Sequence, residues 1–322
     1  LLATSFMGMT AILCQRHLDS ILMFSARLLP WFDLHERPLA WREPGTSAWG
    51  ILLSEVMSQQ TPVARVEPVW REWMERWPDP ASFAQASPAD VLRAWGKLGY
   101  PRRALRLLEC AQQIVSLHDA RVPDDVDTLL ELPGIGDYTA RAVACFAYGR
   151  NVPVVDTNVR RVWRRAVEGR FLVRPDLRMT RRFLAGTASK AELAAVAELL
   201  PQDGRGPRFS AALMELGALV CTATSPECGA CPLRAECAWV AAGSPPPSAE
   251  ELAKKRVQKF TGTDRQVRGL IMDVLRGSEE AVPQSAIDVV WPDAAQRSRA
   301  LFSLLEDGLA EQDAQGLFHL PR

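Results

Sequence analysis

Four closely spaced cysteines are the strongest sign of chemistry in this sequence. Cys221, Cys228, Cys231 and Cys237 are separated by six, two and five residues. Zinc sites usually pair two short cysteine clips across a longer loop, whereas three unequal gaps suit a cubane cluster with one thiolate at each corner. The spacing therefore favours an iron–sulfur cluster, with zinc as the alternative.

A carboxylate with two compatible roles precedes this cluster in the chain. Asp156 follows the apolar run 152–155 and stands directly before a basic helical segment. Its side chain can cap that helix by accepting a hydrogen bond from the backbone N–H of Asn158 or Val159. The same negative charge could face a DNA-bound cavity, where it would stabilise a sugar cation.

A glycine-rich turn, "LPGIG" at residues 132–136, lies between two helical segments. Gly134 and Gly136 carry no Cβ, so backbone N–H groups in this turn can approach a phosphate closely. The helix that begins near Asp137 would add the positive end of its dipole. Such a hairpin holds a DNA strand without reading its sequence. An ordinary interhelical turn is the alternative.

The elements that position these residues are predicted to be helices. Apolar residues recur at helical spacing, Pro and Gly separate the segments, and no sustained alternation of period two occurs. The chain is therefore predicted to be all-α. The predicted helices cover residues 20–35, 48–60, 63–76, 88–97, 101–118, 124–131, 137–148, 157–167, 178–186, 190–200 and 207–221.

The C-terminal part of the chain is predicted to form a small separate module. Residues 241–260 have the Pro, Ser and charge content of a linker. Beyond the linker, apolar residues within 267–275 and 301–309 mark two amphipathic helices, and residues 309–321 are typical of two short strands around a turn. Helices followed by a hairpin indicate a winged-helix-like module over residues 261–322.

The composition is that of a globular protein, and its local charge is more informative than its total. The 322 residues carry no formal net charge, and 48% of them are hydrophobic. Basic residues concentrate in 93–106 and 141–165, as in a basic face or in solvated helix faces. Residues 1–20 are interpreted as an N-terminal extension, because they are too short and interrupted to span a bilayer and lack the basic start of a signal peptide. We therefore expect a cytoplasmic protein with no membrane association.

Taken together, these motifs resemble the base-excision DNA glycosylases of the endonuclease III superfamily and, within it, the adenine DNA glycosylase family. The resemblance covers about residues 24–238. It rests on five separated motifs in the right order, namely SEVMSQQT (54–61), WGKLGY (95–100), LPGIGDYTA (132–140), VDTNV (155–159) and ALMELGALVC (212–221).

The resemblance implies the helix-hairpin-helix DNA glycosylase fold. A six-helix barrel domain with the hairpin would cover residues 44–157, and an iron–sulfur cluster domain would combine residues 21–43 with 158–240. One [4Fe-4S] cluster would be held by the four cysteines. DNA would lie in the cleft between the two domains.

The resemblance also implies an activity, the hydrolysis of the N-glycosidic bond of adenine mispaired with 8-oxoguanine or guanine in double-stranded DNA. Glu55 matches the general acid of the family, Asp156 the carboxylate that stabilises the sugar cation, and Asn158 its polar neighbour. Half-burial of Glu55 would raise the pKa of its carboxyl enough to keep it protonated. The expected partner is duplex DNA with A:8-oxoG or A:G pairs, bound by a monomer at the bacterial nucleoid.

Further residues match the family's contacts with DNA. An extruded base leaves a hole in the stack that side chains must fill. The matching positions are Gln60 (intercalation), Leu98 and Tyr100 (wedge beside 8-oxoguanine), Thr61 (contact to that lesion), Trp41 and Arg42 (wall of the adenine pocket), and Gly134 and Gly136 (backbone clamp).

The sequence also departs from the family pattern. Ser58 stands where an apolar residue is common, and Pro101 stands where a second Tyr is frequent. Family members usually carry a larger, Nudix-like C-terminal domain that helps to recognise 8-oxoguanine. The resemblance therefore implies glycosylase activity more strongly than it implies selectivity for 8-oxoguanine.

Three alternatives to this interpretation remain open. A bifunctional endonuclease III-like glycosylase and lyase needs a lysine near the hairpin to form a Schiff base, yet residues 119–189 contain none. Tyr138 occupies the position where the lyase branch carries that lysine. A thymine-mismatch glycosylase is the second alternative. A non-enzymatic DNA-structure binding protein is the third, and it predicts the loss of Glu55 or Asp156, both of which are present.

Overall fold

The computed structural model describes residues 23–171, 188–247 and 260–322, and its regular structure is almost entirely helical. The predicted all-α class is confirmed. The extension at residues 1–20, the predicted helix 178–186 and most of the predicted linker 241–260 lie outside the described residues. No helix within the described ranges is long and apolar enough to cross a membrane.

In chain order, the first helix, α1, covers residues 23–35. The next helices are α2 (Ala48–Met57), α3 (Val63–Arg76), α4 (Pro80–Ala84), α5 (Pro88–Trp95), α6 (Arg102–Leu117), α7 (Val126–Leu130), α8 (Asp137–Tyr148) and α9 (Thr157–Ala166). They are followed by α10 (Lys190–Ala197), α11 (Gly206–Leu219), α12 (Ala238–Ala241), α13 (Asp264–Arg276), α14 (Gln284–Asp288), α15 (Ala294–Glu306) and the strands β1 (Glu311–Gln312) and β2 (Phe318–His319). A 3₁₀ turn covers Ala40–Arg42.

Local chemistry explains where the predicted helix bounds were wrong. Helix α2 ends at Met57 rather than at residue 60, and Gln60 beyond it has a left-handed φ of 56°. Helix α5 ends at Trp95 because Gly96 has a φ of 53°, which a helix cannot continue. The hydrophobic pattern missed α4, which begins at a capping box between Asp79 and Ser82.

The described residues form two compact units. The first, called the cysteine unit, comprises residues 23–39, 124–127, 136–171 and 188–247, and the second, called the tryptophan unit, comprises 40–123, 128–135 and 260–322. The domain boundaries implied by the family resemblance stay a prediction.

Aromatic rings in edge-to-face and tilted contact form the centre of the tryptophan unit. The fully buried Trp73 ring contacts Phe83, Trp77 and Trp95, with centroid separations of 5.0, 5.1 and 5.7 Å. Edge-to-face and tilted pairs of this kind each contribute about 0.5–1.5 kcal/mol beyond burial. The rings hold helices α3 and α5 and thereby fix the loops that follow α2 and α5.

The C-terminal module, residues 260–322, packs within the tryptophan unit. Helices α13 and α15 pack against each other, and α13 also contacts α5. Strand β1 pairs with β2 in antiparallel register, and Val282 forms an antiparallel bridge to Phe318 on the other side of β2. Three helices and a small sheet agree with the predicted helices followed by a hairpin, and the winged-helix-like assignment stays a prediction.

Helices α1, α9 and α11 build the core of the cysteine unit. Leu28, Phe32, Val162 and Phe209 are buried side chains of one continuous cluster. Helix α9 approaches α11 most closely at Gly217, where an added Cβ would lie 2.6 Å from the Cβ of Asn158. Only glycine permits this approach, which fixes the position of the first turn of α9.

We predict that Gly217→Ala destabilises the protein. The new methyl group would overlap the backbone and Cβ of Asn158, so the two helices must separate, and we expect a loss of about 1–3 kcal/mol in the free energy of unfolding. Chemical denaturation of the purified variant measures this loss.

Gly269→Ala is the matched control for this substitution. Gly269 also lies inside a helix, α13, but a Cβ there would have no neighbour within 4 Å. Because alanine favours helices more than glycine does, this change should stabilise the protein by about 0.5–1 kcal/mol. Equal losses for both variants would contradict the close approach of α9 and α11.

Candidate active site

Asp156 caps helix α9 and is held by two hydrogen bonds. Its Oδ1 accepts from the backbone N–H of Val159 at 2.7 Å, and its Oδ2 accepts from Nδ2 of Asn158 at 2.8 Å. The predicted capping role is therefore confirmed. The two bonds leave the carboxylate with a fixed orientation at the positive end of a helix.

Arg161 connects this pair to the cysteine segment. Its Nη2 donates to Oδ1 of Asn158 and to the carbonyl of Gly217, both at 2.6 Å, and its Nε donates to the carbonyl of Cys221 at 2.6 Å. The Asn158 amide consequently accepts from Arg161 and donates to Asp156, which fixes the amide orientation. A chain of charge-assisted hydrogen bonds thus runs from Asp156 to Cys221.

The environment of Asp156 acts on its charge in two opposite directions. Burial raises the pKa of the Asp156 carboxyl, while the hydrogen bonds from Val159 and Asn158 and the nearby Arg161 charge lower it. Burial is the largest effect, so the pKa lies above its ordinary value. An ionised Asp156 is therefore a poorly solvated charge whose field acts strongly on any cation nearby.

The four predicted cysteine ligands line one cavity. No disulfide joins them, and Arg165, Arg234 and Trp239 complete the walls. Arg165 is buried and donates to the Cys221 Sγ at 3.3 Å and to the carbonyl of Thr222 at 2.7 Å. Its guanidinium also lies 4.3 Å from the ring centroid of Phe171.

The cavity brings the four thiols together around one space. Among the residues that the structure describes, no three Cys, His, Asp or Glu side chains converge closely enough to share one metal ion. Burial raises the pKa of Cys231 to about 12, so thiolates here need a compensating positive charge. Thiols spaced around a cavity, with a buried arginine beside them, suit a cluster that takes one thiolate at each corner.

Glu55 lies in α2 of the tryptophan unit and is partly buried. Its neighbours in the helix, Ser54 and Val56, are buried, which agrees with the boundary position expected from the sequence. Its role as general acid stays a prediction.

Two exposed loop tips in the tryptophan unit carry Gln60 and Tyr100. Both residues have left-handed φ values, 56° and 50°, although neither is glycine. Such conformations cost free energy and are retained where the surrounding structure holds them. The side chain of Tyr100 is exposed, as a residue that inserts into DNA would need to be.

Thr61 and Arg103 tie these two loops together. The buried Thr61 hydroxyl donates to the Leu98 carbonyl at 3.0 Å and accepts from Nη2 of Arg103 at 3.2 Å. Arg103 also donates to the carbonyls of Val56 at 2.6 Å and Gly99 at 3.1 Å. Burial lowers the pKa of Arg103 to about 10. One partly buried cation thus joins the end of α2 to the loop that carries Tyr100.

The other predicted DNA contacts differ in exposure. Leu98 is buried, so its predicted wedge role requires the loop to open. Trp41 lies in the 3₁₀ turn, with its ring edge-on to Trp70 at 5.9 Å, and Arg42 follows it, partly exposed. Their place in an adenine pocket stays a prediction.

The hairpin has the glycine geometry that the sequence indicates. Gly134 has a φ of 78°, and a Cβ there would lie 2.8 Å from the Cβ of Arg106, so the turn packs against α6. Gly136 is the N-cap residue of α8 and has no side chain to block the N–H groups of the first turn. Tyr138, in that turn, packs against the small cluster of Ala142, Cys145 and Val154 and is only partly buried.

Sequence reasoning missed the arginines that position these groups. The run at 160–165 was expected to form a basic or solvated face, yet Arg160, Arg161 and Arg165 are buried. Arg160 pairs with the buried Glu192 at 2.9 Å. Val162 and Trp163 lie between these arginines in the sequence. They are the one sequence signal that this helix has no fully solvated face.

Known proteins resemble this chain over most of its length. A model of the HhH-GPD superfamily base excision DNA repair proteins matches residues 53–168. An adenine DNA glycosylase of Mycolicibacterium smegmatis is 59% identical over 294 residues, which cover 91% of this chain and 94% of that protein. The chain belongs to the adenine DNA glycosylase family. The family resemblance that the sequence motifs indicate is therefore confirmed.

Solved structures share the fold of this adenine DNA glycosylase family member. A thermostable thymine-DNA glycosylase matches with a TM-score of 0.60 and 22% identity, over 70% of this chain and 98% of that one. Endonuclease III in a non-covalent complex with DNA matches with a TM-score of 0.56 and 21% identity, over 71% and 97% of the two chains. These matches confirm the predicted helix-hairpin-helix glycosylase fold.

We predict that Asp156→Asn stabilises the protein at neutral pH. The pKa of Asp156 is higher in the folded state than in the unfolded state. As pH rises from the unfolded-state pKa through the folded-state pKa, ionisation of this group therefore reduces the free energy of unfolding. Asparagine can keep the capping oxygen for the N–H of Val159 and carries no charge to bury, while the lost acceptor for Nδ2 of Asn158 offsets part of this gain. We expect a higher melting temperature at pH 7.5 and a smaller gain as pH falls toward the ordinary aspartate pKa.

Asp293→Asn provides the control. Asp293 is the exposed N-cap of α15 and accepts from the N–H of Gln296 at 3.0 Å. The same substitution there should change stability by less than about 0.5 kcal/mol at either pH. A lower melting temperature for Asp156→Asn at pH 7.5 would show that the burial of this charge carries no cost.

Proposed function

We propose that this protein hydrolyses the N-glycosidic bond of adenine mispaired with 8-oxoguanine or guanine in double-stranded DNA, and that it acts as a monomer. The observation that carries the proposal is the partly buried Asp156 carboxylate, held by Val159 and Asn158 in a chain of the adenine DNA glycosylase family. The matching endonuclease III structure is named as a DNA complex, which supports DNA as the partner.

Asp156 would stabilise the sugar cation that forms as the bond to adenine breaks. A carboxylate with two fixed hydrogen bonds does not need to reorganise when positive charge develops beside it. Its partial desolvation strengthens that interaction further. Removing a preorganised group of this kind typically slows a reaction by about 10²–10³-fold.

Glu55 would protonate adenine, which is a poor leaving group. A carboxyl on the edge of an apolar helix face can keep its proton at neutral pH, and proton transfer by a placed acid contributes about 10²–10⁴-fold. Gln60 and Tyr100, at the two exposed loop tips, would fill the stack and contact the opposite base after adenine is extruded.

The proposed product is an intact abasic site rather than a nicked strand. Residues 119–189 contain no lysine that could form a Schiff base near the hairpin, and Tyr138 stands in its place. A phenol, with an ordinary pKa near about 10, does not form an imine with the sugar carbon. Hydrolysis alone is therefore expected.

We further propose one [4Fe-4S] cluster, held by Cys221, Cys228, Cys231 and Cys237. When bound, the cluster would supply positively charged iron that keeps the four thiolates ionised and crosslinks residues 221–237. The segment would then present the Cys221 carbonyl to Arg161 in a fixed position. Arg165, beside the cavity, would balance part of the thiolate charge.

The decisive experiment measures base release from defined duplexes. Purified protein is incubated with A:8-oxoG, A:G, T:G and thymine glycol duplexes, and abasic sites are assayed with and without alkali. We expect adenine release from the first two duplexes and strand cleavage only after alkali. Strand cleavage without alkali, trapped by borohydride, would contradict simple hydrolysis.

Glu55→Gln tests the proposed acid within the same assay. The amide keeps the shape of the side chain but cannot donate the required proton, so single-turnover adenine release should fall by about 10²-fold or more. Retained binding to the A:8-oxoG duplex would show that the variant is folded. Unchanged adenine release would exclude Glu55 as the acid.

Metal analysis tests the proposed cluster. We expect about four iron atoms and matching acid-labile sulfide per chain, and the visible absorption band of an iron–sulfur protein. Cys228→Ser should lower the iron content, whereas Cys110→Ser, at a buried cysteine of α6 remote in sequence from the four ligands, should not. Zinc in stoichiometric amount would contradict the cluster.

A further inference from the structure

The C-terminal module docks on the loop that carries Tyr100. This loop, residues 96–100, receives polar contacts from α13, because Arg276 donates to the Gly96 carbonyl and Asp273 lies 3.4 Å from Nζ of Lys97. Two more contacts flank the loop, one from Arg93 to the carbonyl of Ser278 and one from Arg102 to Asp307. The module therefore holds the loop from both of its ends.

Arg265 of the module reaches Tyr100 itself. Its Nη2 donates to the Tyr100 hydroxyl at 2.6 Å, and its guanidinium lies 5.0 Å from the centroid of the same ring. The contact joins residues 165 positions apart in the chain. It involves both the polar end and the face of the one exposed aromatic side chain at this loop tip.

Helix stability does not explain an arginine at position 265. The residue lies in the first turn of α13, where the helix dipole disfavours positive charge. Its side chain is exposed, so it adds little to the core of the module. Its guanidinium instead contacts Tyr100.

Tyr100 needs support because its backbone is strained. Gly96, Gly99 and Tyr100 all have left-handed φ values, and only Tyr100 among them carries a side chain. A strained, exposed aromatic residue can adopt several rotamers unless its ring is held. A hydrogen bond from a charged donor removes that freedom before DNA arrives.

We propose that Arg265 is a positioning residue that orients Tyr100 toward the base opposite the excised adenine. The hydrogen bond from Arg265 thereby preorganises the tyrosine for the choice between 8-oxoguanine and guanine. The inference rests on the proposed function, in which Tyr100 contacts the opposite base. Arg265 itself need not touch the lesion.

A double-mutant cycle tests this inference in the full-length protein. Arg265→Gln, Tyr100→Phe and the double variant are compared for single-turnover adenine release from A:8-oxoG and A:G duplexes, with enzyme in excess over DNA but below the concentration that saturates binding. Arg265→Gln should lower the preference for A:8-oxoG about tenfold, as expected for loss of a charged hydrogen bond. Tyr100→Phe keeps the ring but loses the hydroxyl, so the double variant should show no further loss.

The controls separate positioning from general charge and from folding. Arg299→Gln removes an equal charge from the same module, but Arg299 lies beside Asp264, at 3.6 Å, and should leave the preference unchanged. Arg265→Lys keeps a donor and should restore part of the preference. The melting temperatures of all variants should agree with that of the wild type, because Arg265 is exposed.

The inference would be overturned if the two single substitutions lowered the preference for A:8-oxoG additively in the double variant. It would also be overturned if Arg265→Gln and Arg299→Gln lowered that preference equally. Either result would indicate direct contacts with phosphate instead. Binding to a duplex with an uncleavable adenine analogue opposite 8-oxoguanine provides a readout that does not depend on catalysis. Suppose that the wild type releases no adenine but the double-mutant cycle in binding affinity is non-additive. This result would refute the hydrolysis proposal and leave the positioning role of Arg265 intact. Additive losses in binding would overturn the positioning role itself.

Discussion

The buried guanidinium of Arg161 is the constraint on which the candidate site depends. It satisfies the Gly217 and Cys221 carbonyls and the Asn158 amide at once, each at 2.6 Å. Removing one partner of such a network would leave buried acceptors unpaired, which costs about 1–3 kcal/mol for each group. The Asp156 carboxylate is therefore oriented by a structure that extends to the first cysteine of the proposed cluster.

The same helix explains why the cysteine segment needs basic neighbours. Arg165, one turn beyond Arg161, directs its guanidinium at the Cys221 sulfur and at the carbonyls of Thr222 and Ala223. Burying a cation without partners is prohibitive, so these arginines are stable only when the segment folds around them. The geometry of α9 and the geometry of the thiols thus determine each other. A mutation at either location should be expected to affect both.

The parts of this structure that depend on local chemistry were predictable from the sequence. Asp156 before a helical segment predicts an N-cap, and the structure has one. The hairpin glycines and the C-terminal strands follow from turn chemistry in the same way. The burial of Arg160, Arg161 and Arg165 was not predictable, because it depends on acceptors that lie 30 to 60 positions away in the chain. Periodicity alone assigns such charges to solvent, and only tertiary contacts reverse that assignment.

The 96–100 loop is a second place where tertiary contacts, and not the local sequence, decide the conformation. Its sequence, Gly-Lys-Leu-Gly-Tyr, indicates a turn, but nothing local requires Tyr100 to take a left-handed backbone or Thr61 to bond the Leu98 carbonyl. These features exist because Arg103 fills the space between the loop and the end of α2, while the C-terminal module holds the outer side. A loop held from two sides loses little conformational entropy when it meets a partner, so more of its contact energy is available for discrimination. A small module can therefore influence which base pair is recognised without supplying a binding pocket of its own.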